Sequence, residues 1–240
     1  MPNLCLDHIV LAVPNLKDAI DFFQRSLGIT PLIGGKHIGF GTHNALVGLG
    51  KPKDNIYLEL LAIDPEAEIY PEIYPMGLSV DIQEPYFASW CIRCSSETDI
   101  EKTMHTMQAI GESYDHGSVR NMQRTTLSGK VLSWQIANHS KQVLMSKGQI
   151  PFLIKWDDLN QHPTLQLQQQ NFISCSLNFS GPNCKEIERN LKTLDCLLPS
   201  FLTFSSSSEI MINFELYGQC NIVTFGCLKD IEIASLRPRL

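Results

Sequence analysis

One short apolar strand, a helix-capping residue and an amphipathic helix recur in this chain three times, at a spacing of about 82–84 residues. The first strand covers residues 6–13. Asn15 then stands at an N-cap position, with Asp18 in the first turn. Leu16, Ala19, Ile20, Phe23 and Leu27 share one helix face, and Gly28 ends it. The second copy opens at residues 87–94. Thr98 and Glu101 have the spacing of a capping box, Ile100, Met104 and Met107 form the stripe, and Gly111 is the stop. The third opens at residues 172–177, with Asn183 and Glu186 as caps and Ile187, Leu191 and Leu194 facing inward.

Further strand signals follow each helix. They cover 30–37, 44–50 and 56–63, then 113–122, 131–137 and 152–156, then 208–216 and 221–225. Two connectors separate the copies. Residues 64–85 are acidic and punctuated by proline. Residues 157–170 are polar, with Leu165 and Leu167 as apolar anchors. A unit of one strand, one helix and two or three antiparallel strands cannot bury both faces of its sheet alone. Two such units can face each other, enclose a pocket and keep their helices outside. The expected class is α+β: paired βαβββ modules forming a cupped mixed sheet, plus a C-terminal βαββ unit. The expected boundaries are 1–165 for the paired region (modules 4–63 and 86–156) and 171–240 for the last unit. Whether that unit is a third, diverged module stays open.

Composition narrows the function classes. The 240 residues carry a net charge of -6, with no basic field to attract nucleic acid. Apolar residues make up 43% and charged residues 18%, which is ordinary globular usage. No apolar run approaches the roughly 20 residues of a membrane helix. The N-terminal residues lack the charged and apolar regions of a signal peptide. Eight irregularly spaced cysteines therefore read as reduced core thiols of a cytoplasmic protein.

The segments 6–16, 27–29, 34–46 and 57–61, with 151–156 and His162-Pro163, carry a family signal. Over about residues 4–165 the sequence resembles glyoxalase-like domains of the vicinal oxygen chelate superfamily. The resemblance implies a small-molecule ligand held in the cup. It also implies a divalent metal (Zn, Fe, Mn or Ni) on side chains of the first and last strands of each module. By position, His8 and Glu59 match two such ligands. The second module departs from the pattern, because Trp90 stands where His8 would recur and residues 152–156 hold no histidine or carboxylate. His162 is expected to complete the set, with His37 as the other candidate. In the catalytic version Glu59 moves a proton. Arg124, which also fits the subgroup's pattern, holds a carboxylate or enolate oxygen through its forked guanidinium.

Each of these residues also has a plainer reading. His8 in an apolar strand suits a buried, hydrogen-bonded histidine. Glu59, flanked by Tyr57, Leu58, Leu60 and Leu61, must find a metal, a proton or a cation such as Arg124, Arg93 or a histidine. The glycine-rich segment 34–42 lacks the end of a phosphate loop and reads as a hairpin, near which His37, Thr42 and Asn44 could donate to a ligand. Trp90, Trp134 and Trp156 are expected to wall the cup. Cys91 and Cys94 lie three apart on a strand, on opposite faces, which argues against a joint site. No nucleotide-cofactor signature is present. Two functions remain: a metal-dependent lyase or isomerase, and a metal-free small-molecule binding protein. A homodimer stays open as the assembly.

Overall fold

The computed structural model describes residues 3–37, 39–68, 74–110, 114–126, 129–138, 146–219 and 221–227. The first module is β1 (Leu4–Ala12), α1 (Leu16–Phe22), β2 (Leu32–His37), β3 (Thr42–Leu49) and β4 (Ile56–Ile63). The Asn15 side chain accepts from the Asp18 backbone N–H at 3.1 Å, as expected. The helix closes through a wider turn, Phe23–Leu27, onto Gly28 in the left-handed region. The second module is β5 (Tyr86–Cys94), α2 (Ile100–Ile110), β6 (Val119–Thr125), β7 (Val131–Ala137) and β8 (Phe152–Trp156). Here the cap is Asp99, which accepts from the Glu101 and Lys102 backbone N–H groups. The Thr98 hydroxyl is instead within 2.6 Å of Ser95, so the expected capping box is not formed. Gly111, the turn residues 127–128 and Cys220 lie outside the described residues.

The strands of both modules close into a ring. Its order is β1-β5-β8-β7-β6-β2-β3-β4, with β4 returning to β1. Each module's first strand runs parallel to its last, His8 beside Tyr57 and Cys91 beside Phe152. One module joint, β1 against β5, is a long antiparallel ladder. The other, β2 against β6, has only two described pairs, Lys36 with Thr125 and His37 with Arg124. The two-sided barrel sorts its apolar residues into two groups. Val10, Ala12, Leu61, Trp134, Phe152 and Ile154 pack inside. Leu6, Ile9, Leu11, Leu58, Trp90 and Ile92 face outward, under the helices. Cys91 is inside and Cys94 outside, as strand alternation requires. The seven described cysteines are all free.

The C-terminal unit begins β9 (Phe172–Ser180), α3 (Cys184–Thr193) and continues with β10 (Cys196–Leu197), β11 (Leu202–Ser205), β12 (Met211–Tyr217) and β13 (Ile222–Phe225). It therefore has two short strands, β10 and β11, beyond the expected βαββ pattern. Asn183 stands at the N-cap of α3, but its side chain makes no capping bond. The strand pairing also differs from that of the modules. Here β9 lies between β11 and β12, and among the described residues the last strand, β13, pairs with β12 alone.

This unit is fastened to the barrel at several places. β9 extends β3 through Gly48 and Phe172, and β10 lies along β1. Its apolar face covers the outer side of β5. Phe87 packs edge-on to Phe179, with centroids 5.6 Å apart, and Trp90 lies 5.3 Å from Phe179 and 6.1 Å from Phe204. Phe87, Trp90, Phe179 and Phe214 are all fully buried. Each such side chain contributes roughly 1.5–3 kcal/mol by leaving water. The close approach of β9 requires Gly48, since a Cβ there would fall 2.4 Å from the Phe172 ring. Removing residues 171–240 is therefore expected to leave an aggregation-prone barrel. Gel filtration and dye binding of the 1–170 fragment would check this, and a soluble fragment with native circular dichroism would contradict it.

Candidate functional site

The barrel encloses a cavity of about 80 Å³, open on one side. One wall is apolar and comes from the second module: Met122, Trp134, Phe152, Ile154 and Trp156. The indoles of Trp134 and Trp156 stand 5.2 Å apart at 46°. The other wall is polar and comes mostly from the first module. It presents His8, His37, Thr42, Asn44, Tyr57 and Glu59, with Arg124 reaching in from β6. At the exposed side the Arg120 guanidinium lies over the Phe40 ring, 5.6 Å from its centroid.

The polar wall is organised by one amide. Arg124 Nη1 donates to Asn44 Oδ1 at 2.8 Å. A guanidinium has no acceptor, so this contact fixes which end of the amide faces Arg124. Asn44 Nδ2 must then point the other way. It donates to Glu59 Oε1 at 2.5 Å and to His37 Nε2 at 3.2 Å. With Nε2 accepting, the His37 proton resides on Nδ1 and is donated to Thr42 Oγ1 at 2.9 Å. Gly34 makes room for this arrangement. A Cβ at that position would lie 2.1 Å from Asn44 Oδ1 and 2.2 Å from Arg124 Nη1. The glycine-rich hairpin thus lets side chains approach its backbone.

A second polar cluster lies behind the cavity, centred on Asp7. β1 and β5 slip register between Leu6 and His8, and Asp7 occupies that irregularity, fully buried. Its Oδ1 lies 2.7 Å from His8 Nδ1. Its Oδ2 accepts from Arg93 Nη1 at 3.1 Å and Trp156 Nε1 at 3.2 Å, with His162 Nε2 at 3.1 Å. Burial alone would raise the Asp7 carboxyl, but the charge and hydrogen bond of His162, helped by His8 and Arg93, hold it well below the ordinary range. His8 is gripped on its faces too. Tyr57 stacks on it at 4.7 Å and Phe152 meets it edge-on at 5.3 Å. Its Nε2 faces the cavity, 3.7 Å from Glu59 Oε2.

The expected site residues therefore divide. His8, His37, Thr42, Asn44, Glu59, Arg124, Trp134 and Trp156 all line the cavity. Trp90 does not. It lies on the outer face of β5, with its indole N–H donating to the Gln149 carbonyl at 2.9 Å. Cys91 is the interior residue opposite His8, so the expected alignment slips by one position, which exchanges faces on a strand. His162 is drawn to Asp7 and Thr164, behind Tyr57 and Trp156, and does not reach Glu59. Sequence reasoning missed Asp7, Tyr57 and the Phe152–Ile154 wall. Asp7 carried the same signal as Glu59, an acid inside an apolar strand.

The donor set does not fit the divalent metal that the resemblance implied. The proposed third ligand is engaged elsewhere. Glu59 Oε1 and His37 Nε2 are both occupied by the Asn44 amide, leaving only His8 Nε2 and Glu59 Oε2 directed at the cavity. Among its described residues the second module adds the Cys91 thiol on its interior side, and burial pushes that thiol far up. Among the described residues no group of three or more histidine, cysteine or carboxylate side chains is placed to hold a metal ion.

Burial pushes His37 down to about 4, against the upward pull of Glu59. An unfolded histidine titrates near 6.5, so between about 6.5 and 4 the unfolded chain binds the extra proton. Stability from neutral His37 is thus complete above about pH 6.5 and is lost as pH falls through about 4, amounting to roughly 3 kcal/mol. Urea melts from pH 7 to 4 are expected to show a shallower decline for His37→Gln than for the wild type. Parallel declines would reject this.

Comparison with known proteins follows the same architecture. The family model described as "Glyoxalase-like domain" matches residues 6–194, past the paired modules and through α3. No curated protein matches the chain. Among solved structures, a hypothetical protein from Staphylococcus aureus is 17% identical, with a TM-score of 0.53, over 93% of this chain and 85% of that one. It shows the fold, including the C-terminal region. Methylmalonyl-CoA epimerase from Mycobacterium tuberculosis aligns at 18% identity and a TM-score of 0.37, over 63% of this chain and 85% of its own. A hypothetical protein from Bacillus halodurans aligns at 17% and 0.40, over 66% of this chain and 96% of its own. With a ring of paired βαβββ modules and a family match over most of its length, the chain belongs to the glyoxalase-like domain family of the vicinal oxygen chelate superfamily.

Proposed function

We propose that the barrel cavity binds a small carboxylate-bearing molecule, and does so without a metal ion. The observation that carries this reading is Arg124. The residue is 3% exposed, and its side chain lines a cavity with an aromatic wall. Burial lowers its affinity for its proton, yet at any ordinary pH an arginine remains charged. The field of Glu59 reaches it, but Asn44 stands between the two side chains. Among the described residues no carboxylate pairs directly with Arg124; a buried cation in that position is costly, and an anionic ligand removes that cost. The guanidinium fork suits a carboxylate. Trp134, Trp156 and Phe152 would hold the apolar or aromatic body of the same ligand. His8, Tyr57 and Glu59 would surround the atoms next to the carboxylate. Asn44 acts as a bridge in this reading, because its oxygen and both its N–H groups are already used within the wall.

Calorimetry with pyruvate, 2-oxobutanoate, phenylpyruvate and benzoate tests the reading. Binding is expected for at least one acid, and Arg124→Gln should weaken it by about thirty-fold or more, the scale of removing one partner from a buried charge pair. Equal affinity in wild type and variant would refute the role of Arg124. Metal analysis of protein purified without chelator is expected to find no stoichiometric divalent ion, before or after soaking with Zn, Mn, Ni or Fe. A stoichiometric ion lost in both His8→Ala and Glu59→Ala would restore the metal-dependent alternative.

A further inference from the structure

We propose that His8 is the proton-transfer residue of this pocket and that Asp7 is its positioning residue, acting on the carbon beside the carbonyl of a bound 2-oxo acid. The inference rests on the carboxylate-binding reading above. It starts from the His8 ring, which is held on three sides: Asp7 Oδ1 at Nδ1, the Tyr57 ring on one face and the Phe152 edge. A carboxylate can only accept at neutral pH, so the proton of a neutral His8 sits on Nδ1. That leaves the Nε2 lone pair directed into the cavity, on the same wall as Arg124. Fixing a histidine tautomer through a buried carboxylate is how proton-transfer histidines are commonly prepared.

The chemical step balances within the pocket. A C–H bond of the substrate breaks and an N–H bond forms at His8 Nε2. The freed electron pair moves onto the carbonyl oxygen, giving an enolate whose oxygen stands next to the carboxylate held by Arg124. The imidazolium that forms lies between two carboxylates, Asp7 at 2.7 Å and Glu59 at 3.7 Å. Return of a proton to carbon restores the 2-oxo acid. In D2O that proton is replaced by deuterium, so the step can be followed without any other product.

The surroundings of Asp7 make a sharp test available. Its Oδ2 faces the Arg93 guanidinium and the Trp156 indole N–H, which can only donate. In Asp7→Asn the amide oxygen must turn to those donors, and the NH2 group then faces His8 Nδ1. The ring is forced to accept at Nδ1 and to carry its proton on Nε2, so the lone pair leaves the cavity while the shape of the pocket is kept.

The experiment follows C3 hydrogen–deuterium exchange of pyruvate, 2-oxobutanoate and phenylpyruvate by proton NMR at pH 8, with calorimetry on the same acids. Nitrogen-15 spectra of the His8 ring accompany them. The expected result is exchange by the wild type and a loss of about a hundred-fold or more in both His8→Gln and Asp7→Asn, with affinity retained within a few-fold. The wild-type ring should carry its proton on Nδ1, and the Asp7→Asn ring on Nε2. Binding without exchange, or His8→Gln exchanging at the wild-type rate, would overturn the inference and leave the carboxylate reading intact. A wild-type ring protonated on Nε2, or undiminished exchange in Asp7→Asn with a reversed ring, would overturn the positioning role even if one variant proved unstable. Failure of every acid to bind would overturn the carboxylate reading, and this inference with it.

Discussion

A carboxylate inside a barrel has to be satisfied by the barrel itself, and in this protein the Asn44 amide does so. It spans from Arg124 to Glu59, and both side chains are buried. Arg124 lies on β6 and Asn44 on β3, so this side-chain contact crosses the joint between modules where only two backbone pairs are described. The same bridge thus closes the ring, orients the acid and determines the tautomer of His37. Gly34 is the backbone counterpart, because any side chain there would occupy the contact. Without the bridge, a cation and an anion would each be left in a cavity with one aromatic wall, the situation in which lone charges are most costly.

The two modules have become chemically unequal while keeping one backbone plan. The first supplies nearly all the polar wall, and the second supplies tryptophans, phenylalanine and isoleucine. In a paired-module barrel, a metal held from both sides needs ligands from both. In this chain the side from the second module is mostly apolar, and Asp7 lies behind His8. The two polar clusters meet at His8, which touches Asp7 on one nitrogen and faces Glu59 on the other. That geometry holds one ring nitrogen in place and leaves the other facing the ligand pocket.

Much of the secondary structure was readable from the sequence because local rules governed it. β4, β7 and β8 fall on the expected residues 56–63, 131–137 and 152–156, where apolar alternation ends at turn signals. Asn15 caps α1 as its spacing predicts. The misreadings share a cause, since tertiary contacts chose between locally equivalent options. Asp99 rather than Thr98 caps α2, while the Thr98 hydroxyl turns to Ser95 and the Asn3 carbonyl. β10 and β11 exist because β1 and β9 offer them parallel edges, and nothing local marks residues 196–197 as a strand. Trp90 and Cys91 are neighbours in an apolar strand. Which of them faces inward depends on irregularities in the pairing of β1 with β5.

By itself the sequence determined the class of fold, the pairing of two strand–helix units around a cup and most residues of the polar wall. The fold class follows from periodicity and capping chemistry, whereas the placing of His8, Glu59 and Arg124 in the cup is what the family resemblance implies. It could not determine how those residues partner. A metal, an arginine and a histidine were equal partners for Glu59 on sequence grounds; the pairing of β3 with β4 brings the Asn44 amide to it, and the closed ring brings Arg124 to that amide. His162 had the chemistry of a third ligand, yet Asp7 and Thr164 capture it behind the cavity. Hydrogen bonds between residues more than a hundred positions apart depend on ångström-scale placement, which local sequence does not encode and strand register does.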